Sequence, residues 1–126
     1  MNPLGMFGED YACAELERRG CRILERGWRA AHGEIDVIAA DGDYICFVEV
    51  KTRRPGAQVR PILAVTYKKR RKLAETAIRY RMEHPEHRDL QPRFDIVEVV
   101  ARAVPGGYQV LESEYWKGAF AGHGAV

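Results

Sequence analysis

Two runs rich in Ile, Val, Tyr and Phe, at residues 33–40 and 43–52, are joined through Asp41-Gly42. That dipeptide between strand-like runs is one of the strongest short-range signals for a tight hairpin. With Asp41 and Gly42 in the centre of the turn, Ala40 pairs with Asp43. Counting back puts Asp36 opposite Phe47 and Glu34 opposite Glu49. Side chains alternate along a strand, so Glu34, Asp36, Glu49 and Lys51 share one face with Ile38, Ile45 and Phe47. On it Glu49 is diagonal to Asp36, at a backbone separation of about 7–8 Å.

The remaining elements follow from periodicity and breakers. Asn2-Pro3 resembles a helix start and Gly20 a stop, which predicts a helix over about residues 4–19. Residues 21–26 read as a short strand and 53–61, with two prolines and a glycine, as a loop. A second helix covers 68–82, with Leu73, Ala74, Ala77, Ile78 and Tyr80 on one side and Pro85 ending it. Strands at 93–101 and 108–112 flank the turn at Pro105-Gly106-Gly107. The order αβββαββ, with a helix crossing between strands, predicts an α/β fold whose central mixed sheet is flanked by helices. A chain of 126 residues fits one domain, here 1–126, with a core over about 5–112 and a tail over about 113–126.

Composition narrows the class. At 46% hydrophobic and 30% charged residues the chain matches a soluble globular protein rather than a disordered one. Cys13, Cys21 and Cys46 are an odd set without C-x-x-C spacing, which argues against a disulfide framework and a zinc ribbon. No apolar run approaches eighteen residues and no secretory leader pattern opens the sequence, so a cytoplasmic protein is expected.

The charged residues of the hairpin carry the chemistry. Carboxylates crowded on a sheet face repel one another unless a cation compensates them. Oxygen donors without nearby sulfur or paired histidines select Mg²⁺, or Mn²⁺, held by Asp36, Glu49 and the backbone carbonyl of Val50. Lys51 on the same face would orient a water or stabilise charge building on a phosphate. The same charges also fit a solvated strand face, but Ile38, Ile45 and Phe47 interleave with them and set them beside a core. Glu9 shares a row with Ala12, Cys13 and Leu16; taken alone it fits an acid complementing the helix dipole.

The segment GEIDVIAADGDYICFVEVKTR at residues 33–53, with GMFGEDYA before it and RFDIVEV after it, resembles the YraN-type family of small bacterial proteins. That family is placed in the PD-(D/E)XK nuclease superfamily and is similar to archaeal Holliday-junction resolvases. The resemblance spans roughly residues 5–101 and implies a restriction-endonuclease-like fold. It implies Asp36 and Glu49 as metal-binding acids, Lys51 as the catalytic lysine, and Glu9 as the first-helix acid of the resolvase-like branch. Glu34 belongs to the signature without a fixed role. Gly27 departs from the pattern, which has asparagine before Trp28.

Net charge is only +2, but Lys68, Lys69, Arg70, Arg71 and Lys72 are consecutive, and Arg53, Arg54 and Arg60 precede them. Phosphate contact is expected from Arg53, Arg54, Lys68, Lys69, Arg71 and Lys72. Trp28, Tyr115, Trp116 and Phe120 read as core or dimer contacts before base-stacking platforms, and Pro85 separates His84 from His87, which argues against a metal role there. The function these features predict is Mg²⁺-dependent hydrolysis of DNA, selective for branched structures rather than for sequence. The relatives' pairing suggests a homodimer. The rivals are a nucleic-acid-binding module that keeps the fold without cutting, and a protein-interaction domain.

Overall fold

Asn2 begins the first helix because its side chain accepts the Gly5 amide at 2.6 Å, while Pro3 supplies a preset φ and needs no hydrogen-bond partner. The computed structural model describes residues 2–31, 33–56 and 66–120. The helix, α1 (Pro3–Arg18), ends in a left-handed turn at Gly20 (φ +91°). There the Cys21 amide reaches back to Leu16 and the Gly20 amide to Glu17, closing the last carbonyls. Then come β1 (Arg22–Ala30), β2 (Gly33–Asp41), β3 (Tyr44–Arg53), α2 (Tyr67–Glu83), a short 3₁₀ turn (Pro85–His87), β4 (Gln91–Val104) and β5 (Gly107–Phe120). Thr66 caps α2 by accepting the Lys69 amide. The predicted order αβββαββ is the observed one.

The five strands lie side by side in chain order, β3 and β4 parallel and the other neighbours antiparallel. The helices cover opposite faces. Val37, Ala39, Cys46 and Val48 pack with Ala12, Cys13 and Leu16 of α1. Ile38, Ile45, Phe47 and Phe94 pack with Leu73, Ala77 and Tyr80 of α2. The three cysteines are buried and free. Among the described residues no helix is long and apolar enough to cross a membrane.

Three expectations need correction. In the hairpin Asp41 pairs with Tyr44, so Gly42 (φ +57°) and Asp43 occupy the turn centre. Gly-Asp is as good a two-residue loop as Asp-Gly, and sliding the turn by one position moves every partner by two. Ile38, not Asp36, therefore faces Phe47, and because the shift is even Ile38 stays on the face of Ile45 and Phe47. The first strand continues past Arg26 to Ala30 through Gly27 at φ +59°. Asparagine also tolerates that left-handed conformation, so glycine in its place preserves the backbone. The last strand runs on to Phe120, so residues 113–120 are sheet rather than tail. Trp116 and Phe120 pack against the α2-side core, and Trp28 sets its edge on Tyr80. Arg60, the end of the 53–61 loop and the final six residues lie outside the described residues.

Gly8 marks where α1 presses closest on the sheet: a Cβ there would overlap the Thr52 side chain. At an open helical position glycine to alanine stabilises by up to about 1 kcal/mol; here overpacking reverses the sign. Gly8→Ala is expected to destabilise by about 1–3 kcal/mol in urea unfolding, with Thr52→Ala restoring part of the loss.

Candidate active site

Alternation along β2 slips once. Ile35 and Ile38, three residues apart, both pack on the α2 side, and the residue between them that matters is Asp36. Pairing of β2 with β3 runs from Asp41↔Tyr44 to Val37↔Val48. One step further stands Asp36, whose Oδ2 accepts the Val50 amide at 2.9 Å in place of a backbone carbonyl. Glu49 is the next residue of β3, and both carboxyl groups line the same cavity, close enough for Asp36 to perturb Glu49. Two neighbouring carboxylates share a hydrogen bond only when one of them holds a proton. Burial first, then the hydrogen bond and the charge of Asp36, push Glu49 up to about 8, against the pull of Lys51 and Lys69. Lys51 Nζ lies 3.9 Å from Glu49 Oε1 with only 15% of its side chain exposed. Burial and the neighbouring Lys69 lower its pKa, and Glu49 opposes them.

These residues open into two cavities that share Asp36 and Lys51. The one on the α2 side, about 240 Å³, is lined by Glu34, Asp36, Glu49 and Lys51 together with Lys69 and Lys72. The four hairpin residues therefore converge on one cavity. The α1-side cavity, about 290 Å³, adds Glu9, Val50, Thr52 and Arg53. Glu9 is buried, and burial followed by the charge of Asp36 raises its pKa while Arg26 lowers it. Arg26 Nε approaches Glu9 at 3.4 Å and its Nη2 reaches Asp10 at 2.6 Å. Sequence reasoning missed Arg26 because the strand was expected to end there. Glu34 is held by Arg29 at 3.4 Å with about a third of its side chain exposed.

The basic run divides by helical geometry. Leu73, Ala77 and Tyr80 define the buried stripe of α2. Lys69 and Lys72 flank it on the side of the cavity, whereas Arg70, over the Phe120 ring at 6.0 Å, flanks it on the side of β5. Lys68 and Arg71 fall on the outer side, where Arg71 pairs with Glu75 at 3.5 Å. Arg53 reaches the α1-side cavity and Arg54 is exposed just beyond β3. His84 stacks on Tyr80, 4.0 Å between ring centres, and bonds the Tyr80 carbonyl.

The raised Glu49 carboxyl predicts a pH dependence. Folded Glu49 keeps its proton to about 8, whereas its ordinary value is 4.5. Between those values the folded state binds the extra proton, so the contribution to stability is complete below 4.5 and lost as pH rises through 8. In metal-free buffer, chemical denaturation of the wild type should show this decline, and Glu49→Gln should flatten it.

A model of the uncharacterised protein family UPF0102 matches residues 8–99. The chain belongs to this family. The UPF0102 match runs from α1 into β4 and contains Glu9, Asp36, Glu49 and Lys51. A UPF0102 protein of Rhodococcus opacus (strain B4) is 42% identical over 97 residues, 77% of this chain and 81% of that one. A UPF0102 protein of Clostridium botulinum (strain Loch Maree / Type A3) is 39% identical over 107 residues, 85% and 87% of the two chains. These matches agree with the YraN-type resemblance read from the motif. Among solved structures, Pyrococcus furiosus SfsA in complex with Ca²⁺ aligns at a TM-score of 0.35 and 18% identity. That alignment covers 83% of this chain and 58% of that one.

Proposed function

We propose that this UPF0102 protein is a metal-dependent endonuclease of the restriction-endonuclease-like superfamily that hydrolyses DNA phosphodiester bonds in the cytoplasm. The observation that carries the proposal is the gathering of Asp36, Glu49 and Lys51 on one cavity wall, with Asp36 and Lys51 shared by a second cavity.

The donor set suits a hard divalent cation. Among the described residues no three His, Cys, Asp or Glu side chains gather closely enough to hold an ion, but Mg²⁺ commonly takes one or two carboxylates and fills its other positions with water and substrate oxygens. Asp36 and Glu49 are such a pair, short of positive charge, and Glu49 has to surrender a proton before both can ligate. Asp36, Glu49 and the Val50 carbonyl would hold Mg²⁺ or Mn²⁺, which would acidify a water and offset negative charge at the phosphate.

The protein's own groups do the positioning. Val50 fixes one Asp36 oxygen through its amide, which holds the carboxylate where it lines both cavities. Lys51, held against Glu49, is placed to draw in the phosphate and to offset charge as water adds to phosphorus and one P–O bond breaks. Glu9, buried and held by Arg26, adds a third acid to the α1-side cavity that Asp36 also lines. Selection by DNA shape rather than by sequence belongs to this proposal, in keeping with the open form of both cavities among the described residues.

Branched, single-stranded and duplex DNA incubated with the protein across a Mg²⁺ titration test this function. Metal-dependent cleavage, fastest on branched DNA and lost in Lys51→Ala, is the expected result. Binding without cleavage would make the protein a nucleic-acid-binding module, and no binding even at low salt would remove the nucleic-acid role.

A further inference from the structure

The α2-side cavity does not end at Lys72. A third cavity of about 160 Å³ shares Gly33, Lys72 and Thr76 with it and continues to Ala30, Arg79 and Glu75, whose charge is paired with Arg71. Glycine is required on its floor, because a Cβ at Gly33 would overlap the Thr76 hydroxyl. A trough therefore leads from Asp36 and Glu49, between the β1–β2 turn and one flank of α2, as far as Arg79.

The cations of α2 follow that trough. Lys69, Lys72, Thr76 and Arg79 are three to four residues apart and form one row along the helix. Lys69 and Lys72 line its first part, Lys72 and Arg79 its second. The ten-residue interval from Lys69 to Arg79 spans about 15 Å at 1.5 Å per residue. A stacked strand advances about 3.4 Å per nucleotide, so the row matches about four nucleotides of one backbone. Arg79 now bonds Glu83 at 2.8 Å on the exposed side of the helix. An exposed pair four residues apart is a weak attachment, which a phosphate displaces.

Resting on the nuclease function above, we propose that the strand leaving the Asp36–Glu49 site runs along this trough. The row Lys69, Lys72 and Arg79 would grip its phosphates on one side of the cut. The ligand is the backbone of a single nucleic-acid strand, bound without regard to sequence. The trough further implies that a branched substrate feeds one strand along α2 and keeps its other arms outside.

Anisotropy of a fluorescein-labelled single-stranded oligonucleotide, in EDTA so that it is not consumed, tests this against ionic strength. The double variant Lys72→Ala/Arg79→Ala should bind about tenfold more weakly, and its slope of log affinity against log salt should fall by about 1.4, or 0.7 for each phosphate no longer neutralised. The control Arg22→Ala/Arg88→Ala removes two exposed arginines from the opposite end of the sheet and should change neither. Equal losses in both double variants, or none in the first while the wild type binds and cuts, would overturn the trough and leave the nuclease function standing. A wild type that binds no strand would overturn both.

Discussion

Asp36→Asn is expected to reduce Mg²⁺-dependent DNA cleavage by at least about a hundredfold while leaving the fold as stable as before, or more so, without metal. The substitution keeps an oxygen that can accept the Val50 amide, so the splayed end of β2 stays pinned. What it removes is the negative charge that Glu49 meets across the site. In the metal-free protein that charge is a liability, since burial and Asp36 together hold Glu49 protonated up to about 8. Loss of activity with unchanged or higher stability separates a functional acid from a structural one. Rates on the most rapidly cut DNA, with denaturant midpoints of both proteins, measure it; near-normal cleavage by Asp36→Asn would remove Asp36 from the chemistry.

The largest loss of stability is expected at the other end of the sheet. Asp95 is fully buried on β4 and every side of it is engaged. Arg93 donates to both oxygens at 3.0 Å, the Tyr115 hydroxyl to Oδ2 at 2.5 Å, and the Gly118 amide to Oδ1 at 2.9 Å. Arg93 also reaches Asp41 at 2.9 Å beside the hairpin turn, so one buried carboxylate ties β2, β4 and β5 together. Asp95→Ala takes their acceptor from an arginine, a phenol and an amide inside the sheet. Removing one partner of a buried ion pair costs about 3–5 kcal/mol, a large share of the roughly 5–15 kcal/mol typical of a domain. Urea unfolding would measure the loss. A loss below about 1 kcal/mol would mean that the network does not lock the sheet.

The same two regions account for what the sequence revealed and what it hid. The hairpin was legible because Asp41-Gly42-Asp43 lies between two apolar alternating runs, yet that triplet holds two acceptable loops. The choice between them depends on contacts from distant strands, including Arg93 on Asp41. An even slide leaves the faces of residues 37–41 intact, and Asp36, Glu49 and Lys51 converge on one cavity despite the slip between Ile35 and Ile38. β5 was cut short because Glu112, Ser113 and Glu114 interrupt its apolar pattern, and an edge strand tolerates such residues on its open side. The Arg26–Glu9 contact joins residues seventeen apart on a helix and a strand, and no local pattern encodes it. The basic run gave a patch of charge. Only the packing of Leu73, Ala77 and Tyr80 against the sheet sorts Lys69 and Lys72 toward the site and Arg71 toward solvent.

Calorimetric titration of Mn²⁺ into the protein near pH 7, in buffers of different ionisation heat, bears on the paired acids most directly. Saturable binding of one ion per chain is predicted, accompanied by release of a proton as Glu49 gives up the one it holds to about 8, and abolished in Asp36→Ala and Glu49→Gln. No binding to the wild type, or the same isotherm in Asp36→Ala, would contradict it.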